Sequence, residues 1–203
     1  MLVARRVRGW PPVILGALLV AGCGGDGDRC VAMSRDAGCA HADVWETLRQ
    51  RPVSLPVLMP EAPCPRTPGR EVFRAYGPAL GDGPVYPVGL GADGVLHYGS
   101  GPGQVEGGWS YVKVLWISRP DYREPALIRG GQIDGPNELR FGEGPDPAVE
   151  LQFPTETGVV SGGTAAGWRD LPSHTRVRAP GCYAYQIDGL SFSLVIVFQA
   201  VPD

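Results

Sequence analysis

The sequence predicts an all-β protein: an antiparallel β-sandwich with an extended proline-rich N-terminal arm and at most one short helix. Three observations point there. The stretch PGCYAYQIDGLSFSLVIVFQAV, 180–201, alternates its side chains around an Asp-Gly turn signal. Further short β-rich runs follow one another between Gly, Pro and Asp turns. The composition, with 30 glycines and 21 prolines in 203 residues, is turn-rich. Leu, Ile, Val and Phe still make up about a quarter of the chain, above the disordered range.

Taken in order, the chain opens with a basic segment (Arg5, Arg6, Arg8) and an apolar run, Val13 to Val20, too short to span a bilayer comfortably. Val20-Ala21-Gly22-Cys23 follows. This resembles the lipobox of bacterial lipoprotein signal peptides. The resemblance implies cleavage before Cys23 and lipidation of its sulfur, with acyl chains such as palmitate holding the chain to a membrane. An ordinary secretory signal or a short membrane anchor is the alternative reading. Residues 1–22 are therefore set apart from the fold. Residues 23–39, opening CGGDGD, read as a flexible tether.

Residues 40–68 are expected to hold a short helix and the arm. Ala40 to Gln50 has a cap candidate in Asp43, with Glu46 three residues on and an apolar stripe of Val44, Trp45 and Leu48. Arg51 to Pro68 is extended by its prolines, which remove donors and bias their predecessors away from helix. Val53, Leu55, Val57 and Met59 alternate, so this arm is expected along a sheet edge, delivering Cys64 to the core.

The sandwich domain, 69–203, begins with weak strand candidates at Glu71–Tyr76 and Val85–Val88. Gly89-Leu-Gly91-Ala-Asp-Gly94 matches the dinucleotide-loop pattern. However, Pro87 interrupts the strand before it, and Val95–Tyr98 reads as a strand where a helix is needed. Gly99–Gly108 reads as a loop. Trp109–Ser118 has β-branched and aromatic residues on both faces and is predicted to be central. Strands follow at Pro125–Gln132, Asn137–Phe141, Ala148–Phe153 and Trp168–Val177, with a weaker one at Thr157–Ser161. In the last hairpin, a two-residue Asp188-Gly189 turn sets Ile187 opposite Leu190 and Tyr185 opposite Phe192. One face then carries Tyr183, Tyr185, Ile187, Leu190, Phe192, Leu194, Ile196 and Phe198.

The stretches RPVSLPVL, APCP, GPVYPVG, YVKVLWISRPDY, ALIRGGQIDG and WRDLPSHTRVRAPGCYAYQIDGLSFSLVIVF resemble a group of bacterial exported proteins and lipoproteins without an assigned activity. The closing Gly-Cys-Tyr and Val-Ile-Val-Phe pattern is also similar to the final hairpin of Ig-like β-sandwich domains. The resemblance implies a fold and no catalytic residues. The chain departs from antibody-type domains in lacking a tyrosine two residues before a cysteine.

With Cys23 assigned to lipid, Cys30, Cys39, Cys64 and Cys182 remain, an even number in an oxidising compartment. Three connectivities are open. Cys30–Cys39 with Cys64–Cys182 is preferred, because the first pair lies in the tether and the second joins structured segments. The loop closed by the second is worth roughly 4–5 kcal/mol in the chain-entropy model.

Net charge is −3, Lys113 is the only lysine, and no basic cluster suggests nucleic acid as a partner. No cysteine or histidine spacing suggests a metal, and no cofactor is implied. Asp170, Ser173 and His174 fall within five residues, but triads are assembled from separate elements and no nucleophile elbow is present. Trp116, Trp168 and His174 are the candidate binding residues, as part of an aromatic platform for a small ligand or sugar that also draws on Trp109, Tyr111, Tyr183 and Tyr185. The expected function is that of a membrane-anchored cell-envelope lipoprotein carrying a structural or binding Ig-like module, with an envelope protein or small ligand as partner. An envelope hydrolase using His174 or His97 is the alternative.

Overall fold

Twelve strands and one short helix are seen in the computed structural model, which describes residues 43–59, 61–99, 105–158 and 166–203. These belong to one unit, Ala42–Asp203. Cys23, Cys30 and Cys39, with the predicted tether, lie outside the described residues. Among those residues no helix is long and apolar enough to cross a membrane.

The strands are β1 (Gly69–Glu71), β2 (Pro78–Leu80), β3 (Val85–Val88), β4 (Val95–Tyr98), β5 (Val105–Glu106), β6 (Trp109–Ser118), β7 (Ala126–Gln132), β8 (Arg140–Phe141), β9 (Glu150–Phe153), β10 (Arg169–Val177), β11 (Gly181–Gly189) and β12 (Ser193–Pro202). They form two sheets. The first runs β1-β2-β3-β6-β10-β8, with β5 also on β6; the second runs β4-β12-β11-β7-β9. All pairs are antiparallel except β4 with β12. The all-β sandwich expected from the sequence is thus present, with one parallel pair added.

Alternation decides what lies between the sheets. From β6, Val114 and Trp116 point inward, and from β11 Tyr183, Tyr185 and Ile187 do. Ile196 and Phe198 of β12 complete the centre. Tyr185 meets Trp116 edge-on at 5.0 Å and stacks on Phe198 at 4.6 Å. Its hydroxyl is fully buried and needs a partner, which the Thr175 hydroxyl supplies at 2.7 Å.

The hairpin keeps its predicted faces but not its predicted turn. Tyr185 lies opposite Ile196 and Ile187 opposite Leu194. The pairing is displaced by four residues, so the chain reverses over 189–192. An even displacement preserves the face of every residue that stays within the paired strands. Leu190 leaves the core for the turn and is exposed, while Phe192 packs against Tyr122 at 5.2 Å.

Asp188 is a strand residue because its carboxylate has a buried task. It accepts from Arg129 Nη2 at 2.6 Å, Ser193 Oγ at 2.7 Å and Gln186 Nε2 at 2.9 Å. The turn itself is held by Arg51, whose guanidinium donates to the carbonyls of Gly189, Leu190 and Phe192.

The arm crosses the outer face of the second sheet and, among the described residues, meets the edge of β12 at Thr67, which exchanges bonds with Val197. Leu55, Leu58 and Cys64 pack on Ile133, Cys182, Ala184 and Val197. Gln186 fixes it from below, accepting from the Ser54 N–H and donating to the Pro52 carbonyl. Cys64 and Cys182 are joined in a disulfide. Ahead of the arm, α1 (Val44–Arg49) is capped by Asp43, whose side chain accepts from the Trp45 N–H. Arg49 ties it to Glu150 at 2.7 Å.

Other boundaries differ from expectation. Residues 72–76 form turns, so that β1 ends at Glu71, and β2 lies in a segment the sequence left unassigned. Val105–Glu106 pairs with β6 inside the predicted loop. Thr157 is outside any strand, and 159–161 lie outside the described residues.

Candidate functional site

The outer face of the first sheet is divided along β6 and β10. Since Val112, Val114 and Trp116 face the core, Tyr111, Lys113, Leu115 and Ile117 face away from it. In β10 the matching outward residues are Asp170, Pro172, His174 and Arg176. The antiparallel register sets His174 opposite Lys113 and Arg176 opposite Tyr111. One end of this face is an apolar cluster of Ala79, Tyr86, Val88 and Ile117. The other end is polar and concave.

Arg176 builds the wall of the concavity. It is buried, and donates from Nε to the Gly142 carbonyl at 2.7 Å and from Nη2 to the Gly144 carbonyl at 3.1 Å. Glu106 Oε2 lies 3.4 Å from Nη2, and the guanidinium sits 4.6 Å over the Tyr111 ring. Gly142 and Gly144 have φ of +85° and +86°, which only glycine adopts without strain. The Gly142 N–H donates to the His174 carbonyl at 2.9 Å, closing the loop onto β10. Glu143 is thereby presented to His174, with Oε1 3.4 Å from Nδ1. The His174 ring meets Tyr111 edge-on at 5.0 Å.

The result is a depression in two lobes that share Glu143 and His174. One, of about 320 Å³, is lined by Lys113, Gly142, Pro172 and Ser173. The other, of about 400 Å³, is lined by Glu106, Tyr111, Gly144 and Arg176. Among the described residues Lys113 makes no ion pair.

The three binding candidates named from sequence are not brought together. Trp116 is fully buried between the sheets and lines no surface. Trp168 stacks on Phe73 at 5.5 Å, with Tyr76 6.3 Å away, on the same outer face but six residues from His174, about 20 Å of extended chain. Only His174 lies in the depression. Of the other platform aromatics, Tyr111 does too, whereas Trp109, Tyr183 and Tyr185 are buried.

Asp170, Ser173 and His174 do not form a relay. Asp170 Oδ2 accepts from the Tyr76 hydroxyl at 3.2 Å. Ser173 and His174 are neighbours on one strand, so their side chains leave opposite faces, and Ser173, which borders the depression, makes no hydrogen bond to His174 among the described residues. His97, on β4, is exposed and lies 3.1 Å from Asp203, the residue after β12. No group of three or more His, Cys, Asp or Glu gathers to hold a metal among the described residues.

Glu106, Arg176 and Glu143 were missed from sequence. Arg176 and Tyr111 become neighbours only through the β6–β10 register, and Glu143 carries no local signal beyond its flanking glycines.

No protein-family model matches this chain, and no curated protein does. Its structure is similar to a solved one described as "X-ray Crystal Structure of a Putative Lipoprotein from Bacillus anthracis", with a TM-score of 0.42 and 14% identity, covering 70% of this chain and 88% of that one.

Proposed function

We propose that this protein is an exported lipoprotein held at the cell envelope through Cys23, presenting its β-sandwich as an Ig-like binding module. The observation that carries this reading is the Val20-Ala21-Gly22-Cys23 sequence directly after a short apolar run with arginines ahead of it. The Cys64–Cys182 disulfide supports it, because such bonds persist in oxidising compartments outside the cytosol. Stable anchoring needs more than one acyl chain, which lipidation of an N-terminal cysteine would supply. Binding is favoured over hydrolysis because the polar depression offers paired donors and acceptors, while Ser173 borders it without a hydrogen bond to His174 or Asp170 among the described residues.

The test is metabolic labelling with an alkyne fatty acid, followed by membrane fractionation. The wild-type chain should carry label and sediment with membranes. Cys23→Ser should lose the label and leave the membrane fraction. An unlabelled wild-type chain would remove the basis for the reading.

A further inference from the structure

We propose that the depression between β6, β10 and the Gly142–Gly144 loop binds a saccharide of at least two rings. This rests on the binding-module reading above and names the ligand class of that module.

Charge balance comes first. The fixed cations at the site, Lys113 and Arg176, are matched by Glu106 and Glu143. A phosphate or other compact anion drawn to Lys113 would meet Glu143 as well, so attraction and repulsion offset one another. A wholly apolar ligand would strip water from these groups and return no hydrogen bonds. A hydroxyl is both a donor and a double acceptor. A row of hydroxyls can therefore donate to Glu143 and accept from Lys113 and His174 at the same time.

The aromatic groups fit the same ligand. Tyr111 is half-buried, with Arg176 over its ring at 4.6 Å and His174 against it at 5.0 Å. Arg176 covers one face of the Tyr111 ring, so the two rings offer an amphipathic wall, apolar in body and polar at the tips, of the kind that suits the C–H groups and hydroxyl edges of a pyranose set against it.

Shape and rigidity agree. Lobes of about 320 and 400 Å³ are each in the size range of small-ligand sites, and they meet at Glu143 and His174. A ligand that uses both lobes must be longer than one ring. Arg176 is buried and directs its bonds to the loop carbonyls, so it acts as a positioning residue for Glu143. The remaining groups stand on paired strands and need little reordering on binding.

The test uses the full chain in detergent micelles on an array of neutral, N-acetylated and uronic-acid-containing oligosaccharides. Hits are then titrated while following the histidine Cε1–H resonances, of which the chain has three to assign. The expected result is binding of a discrete glycan set that shifts the His174 resonance. Tyr111→Ala and His174→Ala should each weaken it at least tenfold, Glu143→Gln severalfold, and Val57→Ser, on the exposed arm, not at all. Circular dichroism of each variant separates lost binding from lost fold, and Glu143→Gln keeps the test open if Tyr111→Ala is unfolded. Absence of any glycan binding, or glycan binding that these variants leave intact, overturns the proposal. So does a His174 shift produced by inorganic phosphate alone. That outcome would leave the lipid-anchored binding reading standing, since the label on Cys23 decides it separately.

Discussion

Tyr185 and Asp188 lie on opposite faces of β11, and each is a buried polar group with its partner built in. Replacing Tyr185 by Phe leaves the Thr175 hydroxyl buried without a partner and should cost about 1–2 kcal/mol in urea unfolding. Replacing Asp188 by Ala leaves the Arg129 guanidinium with only the Arg49 and Arg51 carbonyls as acceptors and should cost about 3 kcal/mol.

Burial also pushes the Tyr183 phenol up to about 12, and Tyr185 in the same direction. An unfolded tyrosine loses its proton near pH 10, so above that pH the folded chain holds more protons than the unfolded one. Stability should therefore be unaffected by these groups below pH 10. Between about pH 10 and 12 it should fall, by roughly 1.4 kcal/mol per pH unit for each phenol. Urea midpoints from pH 9 to 11.5 measure this, and Tyr185→Phe should make the decline shallower. At this scale the sequence showed which residues of the last hairpin face the core, Leu190 excepted. It did not show that Asp188, in the strongest turn dipeptide of the chain, is taken by Arg129.

Among the elements, the proline-rich arm behaves least like what it connects. It has no strand pairing over 52–59, yet it covers the outer face of β11 through Leu55, Leu58 and the two bonds to Gln186. The disulfide spans 118 residues and should contribute up to about 4–5 kcal/mol by restricting the unfolded chain. Cys64→Ser with Cys182→Ser should lower stability toward that limit. It should also speed amide exchange at Leu58, whose N–H bonds the Ile133 carbonyl, well before it affects β11. The extended, proline-rich character of the arm was legible in the sequence, and the Cys64–Cys182 bond was the preferred reading among three open connectivities. The face it covers was not, because alternation of Val53 to Met59 suggests an edge strand and says nothing about what lies beneath. The displaced turn of β11 and β12 shows the same limit. Face follows from period two, whereas register depends on Arg51 reaching over from the arm.

At the scale of the molecule, two sheets enclose a core of aromatic residues drawn from strands far apart in sequence. The fold class could be read beforehand because alternation and turn residues are local. The depression around His174 could not, since it needs β5, β6, β10 and a glycine loop placed by Arg176. The lipid attachment proposed above lies at the opposite extreme, since its whole basis is a pattern within the first 23 residues.

Peptide mapping of the non-reduced protein recovered from membranes joins these two ends in one measurement. The account predicts an N-terminal peptide that begins at acylated Cys23, together with a cross-linked pair containing Cys64 and Cys182. A chain that keeps residues 1–22, a Cys23 without acyl groups, or Cys64 bonded to Cys30 or Cys39 would contradict it.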